Sequence, residues 1–300
     1  MRGPSLVINF LGAAITAIGA ALPEYPREVR QWQEVSLPSR DDEYRMTAWF
    51  EAADHFSKSW EWRVFVEHDQ VYAQLSSEAQ PSHRDRPEFS PKAEEFSTQP
   101  NTAFMRVSDG WLTGFNDGEF GAALYWFSRD GQQHYKISDH QVVDFFSGVD
   151  GIYAIEGLGH MGVSSGSVIR IALAQPGGRW QASTVVKLPS DPCTVSTRRD
   201  GTLFITSPRC IVSVGRDRRV TTLLQDPWWY RPTSAVLSPD EQKLYIGMEY
   251  FVGEFDIPAK TLRLLLPSDA FLEPFREAEK RLRDYEAEHN MRFYRRPSTK

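Results

Sequence analysis

Five short turns, each built on an aspartate, recur along the chain at nearly constant spacing, and this repeat restricts the fold more than any other feature. They lie in HDQVYAQL at Asp69, SDGWLTGF at Asp109, VDGIYAIE at Asp150, RDGTLFIT at Asp200 and PDEQKLYIG at Asp240, so successive aspartates are 40, 41, 50 and 40 residues apart. The long interval contains an extra loop at residues 174–180. Asp-Gly or a close relative between two apolar runs is the strongest short-range signal for a β-hairpin. The strands after the turns alternate, with Leu203 and Ile205 against Phe204 and Thr206, and Leu244 and Ile246 against Tyr245 and Gly247. Third strands are expected at residues 166–171, 210–214 and 251–255, and fourth strands at 185–190, 220–224 and 262–268. Four antiparallel strands every roughly 40 to 50 residues make the blade of a β-propeller. The expected fold is all-β, a propeller of five blades with six as the alternative, and residues 46–50 and 60–67 supply early strands. The first unit departs from the pattern, because residues 76–101 are polar and studded with prolines where its third and fourth strands belong.

With the Asp-Gly turn placed ahead of each apolar strand, the chain resembles the bacterial propellers with NHL, YVTN or gluconolactonase-like blades. The resemblance covers residues 45–267 and concerns the fold, which hosts many unrelated functions. Gluconolactonase-like propellers hold a divalent metal on the axis with oxygen ligands from several blades, a donor set that suits Ca²⁺. The resemblance implies Asn116 and Glu156 as metal ligands, with Glu156 and His160 as the catalytic pair. Thr206 and Gly247 stand where further ligands are expected, so the carry-over is incomplete.

The ends differ in kind from the repeat. Residues 6–22 read LVINFLGAAITAIGAAL behind Arg2, the layout of a secretory signal peptide cut after Ala21. An uncleaved membrane anchor is the competing reading, since about 17 apolar residues is the lower limit for a span. The expected division is a signal peptide at 1–21, a propeller at 22–268, and a helix with a basic tail at 269–300. In that last segment Phe271, Phe275, Ala278, Leu282 and Tyr285 form one helical face, while Glu277/Arg281 and Glu279/Arg283 pair on the other. The apolar face is expected to pack on the chain's own propeller, with a dimer or partner contact as the alternative. Cys193 and Cys210, the only cysteines, are read as a disulfide between neighbouring strand ends in an exported protein, or else as two buried thiols. Lys and Arg total 34 against 40 Asp and Glu, a net charge of −6, which disfavours nucleic-acid binding.

Loops joining second to third strands emerge on one propeller face and bring distant residues together. Counted from the turn aspartates, these loops are 116–119, 156–160, 207–209 and 248–250. They carry Asn116, Asp117, Glu119, Glu156, His160, Arg209, Glu249 and Tyr250, and the connection at 226–232 adds Trp228, Trp229 and Tyr230. Polar and aromatic residues so placed suit a binding face, and Trp, Tyr and Arg are common anchors of interfaces. Zinc-type histidine spacings are absent, and the glycines at 157–162 read as a loop rather than a phosphate cradle. The leading reading is an exported, non-catalytic propeller, periplasmic or secreted, that binds a protein or envelope carbohydrate and needs no cofactor. One version is an immunity or inhibitor protein for a secreted toxin or cell-wall enzyme. A Ca²⁺-dependent lactonase-like hydrolase and a structural module of an envelope complex are the alternatives.

Overall fold

A short strand, β1 (Gln33–Glu34), precedes the repeat. In the computed structural model, which describes residues 23–35, 60–78, 86–96, 100–148, 150–161, 163–225 and 231–289, five units follow. The first is a hairpin of β2 (Trp62–Glu67) and β3 (Gln70–Leu75). The second is a sheet of β4 (Asn101–Val107), β5 (Gly110–Asn116), β6 (Ala122–Ser128) and β7 (His134–Ser138). The third comprises β8 (Val142–Gly148), β9 (Gly151–His160), β10 (Val163–Leu173) and β11 (Trp180–Leu188). The fourth comprises β12 (Thr194–Thr197), β13 (Leu203–Thr206), β14 (Cys210–Val214) and β15 (Val220–Gln225). The fifth comprises β16 (Pro232–Leu237), β17 (Lys243–Met248), β18 (Val252–Asp256) and β19 (Thr261–Leu266), with β1 added beyond β19.

Each aspartate turn joins the first strand of its unit to the second, as the spacing predicts. At the first, His68 and Asp69 take φ of 46° and 55°, and at the fifth Glu241 takes 56°. At the first, a two-residue turn, that left-handed backbone gives the twist the flanking strands need. First strands of successive units lie side by side: β4 with β8, β8 with β12, β12 with β16, and β16 with β2. This radial order is that of a propeller, with the first strands bordering the axis. Five units are present among the described residues, in agreement with the five-blade reading, but only four have all their strands. No comparable packing joins β2 to β4.

Because both faces of a blade are covered, alternate residues of one strand enter different cores. Ala154 and Ile169 pack with Leu112 and Leu124 of the second sheet, whereas their neighbours Ile155 and Val168 pack with Ile205 and Val212 of the fourth. A larger cluster joins the fifth sheet to Trp62, Trp32, Phe271 and Phe275. Among the described residues no helix is long and apolar enough to cross a membrane. The expected signal peptide and the early strand at 46–50 lie outside the described residues.

Residues 86–96 do what the shortened first blade does not. They form a strap without strands over the second sheet, where Ala93, Phe89 and Phe96 cover Trp111, Phe115, Tyr125 and Phe127. Phe89 sits 5.8 Å from Phe127, and Phe96 sits 5.9 Å from Phe115. Tyr125 Oη donates to Glu95 at 2.6 Å, and Lys136 Nζ reaches the same carboxylate at 2.8 Å. Tyr125 and Trp126 point to opposite faces, as alternation requires, yet both are packed, because the strap covers one face and the third blade the other.

The C-terminal helix, α1 (Glu273–His289), docks on its own chain. Phe271, just ahead of it, and Phe275 in its first turn are both buried, Phe275 being 5.6 Å from Phe251. The pairs Arg281–Glu277 and Arg283–Glu279 form as expected, at 3.1 and 3.0 Å.

The disulfide expected between Cys193 and Cys210 is absent, and both residues remain thiols. The register explains it. Cys193 N donates to Thr206 O, and Ser207 N donates to Cys210 O, so the chain at Ser207 runs between the two cysteines. Two strand spacings put their Cα atoms about 9–10 Å apart, beyond the roughly 7 Å that a disulfide spans. Cys210 Sγ lies 3.3 Å from Ser207 Oγ. Burial, reinforced by Asp191, pushes the Cys193 thiol up to about 12, so it carries little reactive thiolate at neutral pH.

Candidate functional site

The connections β5–β6, β9–β10, β13–β14 and β17–β18 join second to third strands and so share one end of the blades. At the first, Asn116 ends β5 and its side-chain oxygen accepts from Gly118 N at 3.0 Å. Asp117 closes the loop through its own N–H to Gly121 O at 3.0 Å. Between them Gly118–Phe120 form one 3-10 turn that projects Glu119 and Phe120 outward. The turn is pinned from the next blade, where Gln141 Nε2 donates to Gly118 O at 2.6 Å.

The second connection differs from its sequence reading. Residues 156–160 are not a loop: β9 continues through His160, and β10 begins at Val163. The glycines permit this by removing side chains where another segment comes close. A β-carbon on Gly159 would lie 2.2 Å from Asp191 Oδ2, and one on Gly166 would lie 2.5 Å from Pro192 Cδ. Ser164 Oγ, at 2.5 Å from Asp191 Oδ1 and 2.8 Å from Ser190 Oγ, locks the hairpin to residues 190–191. Glu156 therefore faces Ser167 across the ladder and accepts a hydrogen bond from its hydroxyl, in place of a position on an open loop.

The two connections meet. His160 Nε2 lies 2.8 Å from Glu119 Oε2, although the ring N–H is not aligned on the carboxylate, so the contact is ionic in character when the ring is protonated. Next to this pair in the chain stand Phe120, 78% exposed, and Met161, 92% exposed, with Val163 at 61%. These are three of the four exposed large apolar residues among the described ones. They are the functional candidates that the sequence reading passed over. Their signal was present: apolar residues in tight connections, where turn chemistry calls for polar ones.

The other candidates are spread around the rim. Arg209 is exposed at the β13–β14 turn, one blade beyond His160, and Glu249 is half-buried at the β17–β18 turn, two blades beyond. Tyr250 does not serve as a surface residue. It is 2% exposed, stacks edge-on with Phe275 at 5.8 Å, and accepts the Trp62 indole N–H on its carbonyl at 2.9 Å. Trp228, Trp229 and Tyr230 lie outside the described residues.

A metal site receives no support from these positions. Among the described residues, no group of three or more His, Cys, Asp or Glu is placed to hold an ion. Asn116 and Glu156 are engaged in local hydrogen bonds, Thr206 spends its hydroxyl on Thr194 at 2.8 Å, and Gly247 lies under the Trp62 carbonyl.

Asp144, absent from the sequence reading, stands on the first strand β8, where a bulge follows Val142. It keeps an exposed surface, yet surrounding protein displaces enough water to raise its carboxyl above the usual range. The Phe145 N–H at 2.8 Å and the Arg63 charge on β2 oppose that rise. Asp144 and Arg63 thus stand on the first strands of their units, near enough for their charges to interact.

Among the described residues, the fold and rim together define a β-propeller with four full blades, one blade represented by a hairpin, and an apolar projection at one end. No protein-family model matches the chain, and no curated protein matches it. Solved propeller-containing structures are similar at low identity. A streptogramin B lyase is 15% identical over 58% of this chain and 58% of that one, with a TM-score of 0.39. A gluconolactonase from Xanthomonas campestris is 13% identical over 54% and 55%, with a TM-score of 0.36. A catalytically inactive virginiamycin B lyase from Staphylococcus aureus, solved with quinupristin, is 14% identical over 79% and 74%, with a TM-score of 0.41. The matched region thus spans little more than half of the first two proteins. Similarity at this level assigns no residue a role.

Proposed function

We propose that the protein is an exported, non-catalytic propeller that binds a protein partner through the rim at Phe120, Met161 and Val163. The observation that carries this reading is the exposure of these three apolar side chains on two connections held together by Glu119 and His160. Apolar groups projecting from hydrogen-bonded scaffolds suit the anchors of an interface, with Glu119, His160 and Arg209 forming its polar surround. An inhibitor or immunity role fits a rim that projects a hairpin, and the net charge of −6 favours a basic partner. The test is co-purification from the envelope and secreted fractions of the native host, comparing wild type with the Phe120→Glu/Met161→Glu double variant after matching their melting temperatures. A stoichiometric partner that co-elutes with wild type and is lost from the variant supports the proposal. Equal retention by both, or lactone turnover dependent on stoichiometric Ca²⁺, overturns it.

A further inference from the structure

We propose that the cleft between the strap and the second sheet binds a small aromatic anion, a carboxylate or sulfonate carried on a flat apolar body. The cleft has a volume of about 810 Å³, within the roughly 300–1,000 Å³ typical of ligand sites. Its floor is Phe104 of β4 and Phe115 of β5, and Phe89 and Phe96 of the strap form its walls. Aromatic rings on several sides favour a flat apolar body, which gains contact area and offset or edge-on packing.

Charge selects the rest of the ligand. Arg86 and Lys92 line the cleft, both are exposed, and neither has a carboxylate partner among the described residues. Cations elsewhere are commonly paired, as Lys136 is with Glu95, Lys243 with Glu254 and Arg283 with Glu279. Glu94 is the one acid in the lining, which leaves a positive balance on an acidic protein. Thr102 adds a hydroxyl that can orient an anionic oxygen.

The cleft is built rather than left over. Gly131 takes φ of 73°, and a β-carbon there would lie 2.6 Å from the Phe89 ring, so the turn makes room for that wall. Glu95, held by Tyr125 and Lys136, fixes the strap between the two walls. A wall fixed before binding reduces the ordering cost of the complex.

The test uses the full chain and the fluorescent sulfonate 1-anilinonaphthalene-8-sulfonate, with the neutral N-phenyl-1-naphthylamine as comparison. Saturable binding of one equivalent is expected, weakened by added salt and by about tenfold or more in Arg86→Glu/Lys92→Glu, a loss in line with charge-assisted contacts. Should the reversal disturb folding, Arg86→Gln/Lys92→Gln is the second variant, with a smaller loss expected. Arg216→Glu, a charge reversal at an exposed position on the fourth blade, should leave the probe's affinity unchanged, which separates the cleft from the general charge of the protein. Equal affinity for the neutral probe, no effect of either charge variant, or loss of binding with Arg216→Glu overturns the proposal.

Discussion

A β-carbon on Gly166 would have Pro192 Cδ at 2.5 Å, Ser190 O at 2.8 Å and Glu156 O at 3.0 Å, and two of those three are backbone atoms that cannot swing aside. Gly166→Ala should therefore cost about 1–3 kcal/mol, the range for forced overpacking, read as a shift in urea midpoint without a change in slope. An unchanged midpoint would mean that the β9–β10 hairpin stands clear of residues 190–192. The cysteines give a second prediction at this scale. With Ser207 between them, reduction should leave the melting temperature unaltered, and denatured protein should titrate two thiols whether or not reductant was added. These examples show how far single residues are legible from sequence. Asp69 and Asp240 mark their turns because hairpin chemistry is local. Gly166 and the cysteines depend on which segment lies opposite, and only the register supplies that.

At the scale of elements, the strap behaves as a substitute half-blade. Its Glu95 carboxyl is held below the ordinary carboxylate range, first by Lys136 and then by the Tyr125 hydroxyl. Burial and the same carboxylate raise Tyr125 to about 12, so the phenol remains a donor through neutral pH. A depressed carboxyl contributes its full stabilisation above the unfolded value of about 4.3 and loses it as pH falls through the folded value. The protection of residues 86–96, after correction for the intrinsic slowing of amide exchange in acid, should therefore fall from about pH 4 downward, while the β9–β10 ladder stays protected. Glu95→Gln should show the quickened exchange already at pH 7, and a strap equally protected in that variant would remove Glu95 as its anchor. The prolines at 87, 91 and 100 told the sequence reading that no strands form here. They leave open that Phe89 and Phe96 turn inward, because two aromatics in a polar stretch have no period to reveal their side.

For the whole molecule, the repeat accounts for the blades and leaves their closure to residues outside it. Trp62 on the first hairpin is fully buried and lies 4.7 Å from Trp32, 5.1 Å from Tyr25 and 5.6 Å from Phe271. Its indole N–H is given to Tyr250 O, 188 residues away. One ring system thus ties the segment before the repeat, the shortened blade, the fifth sheet and the entry to α1. These partners lie too far apart in sequence for periodicity to connect them, which is why the helix was legible and its seat was not. Phe271 is fully buried against Trp60, Trp62 and Tyr25, so Phe271→Ala should cost about 3–5 kcal/mol. The loss should appear as one cooperative unit: amides of β1, of the β2–β3 hairpin and of the first turn of α1 should exchange together and faster, because each contributes a ring or a strand to the same cluster. The second and third sheets, whose shared core centres on Leu112, Leu124 and Ile169, should keep their protection until global unfolding. Native-state hydrogen exchange on Phe271→Ala distinguishes this from a locally frayed helix, in which α1 alone would lose protection and the hairpin would stay as slow as in wild type.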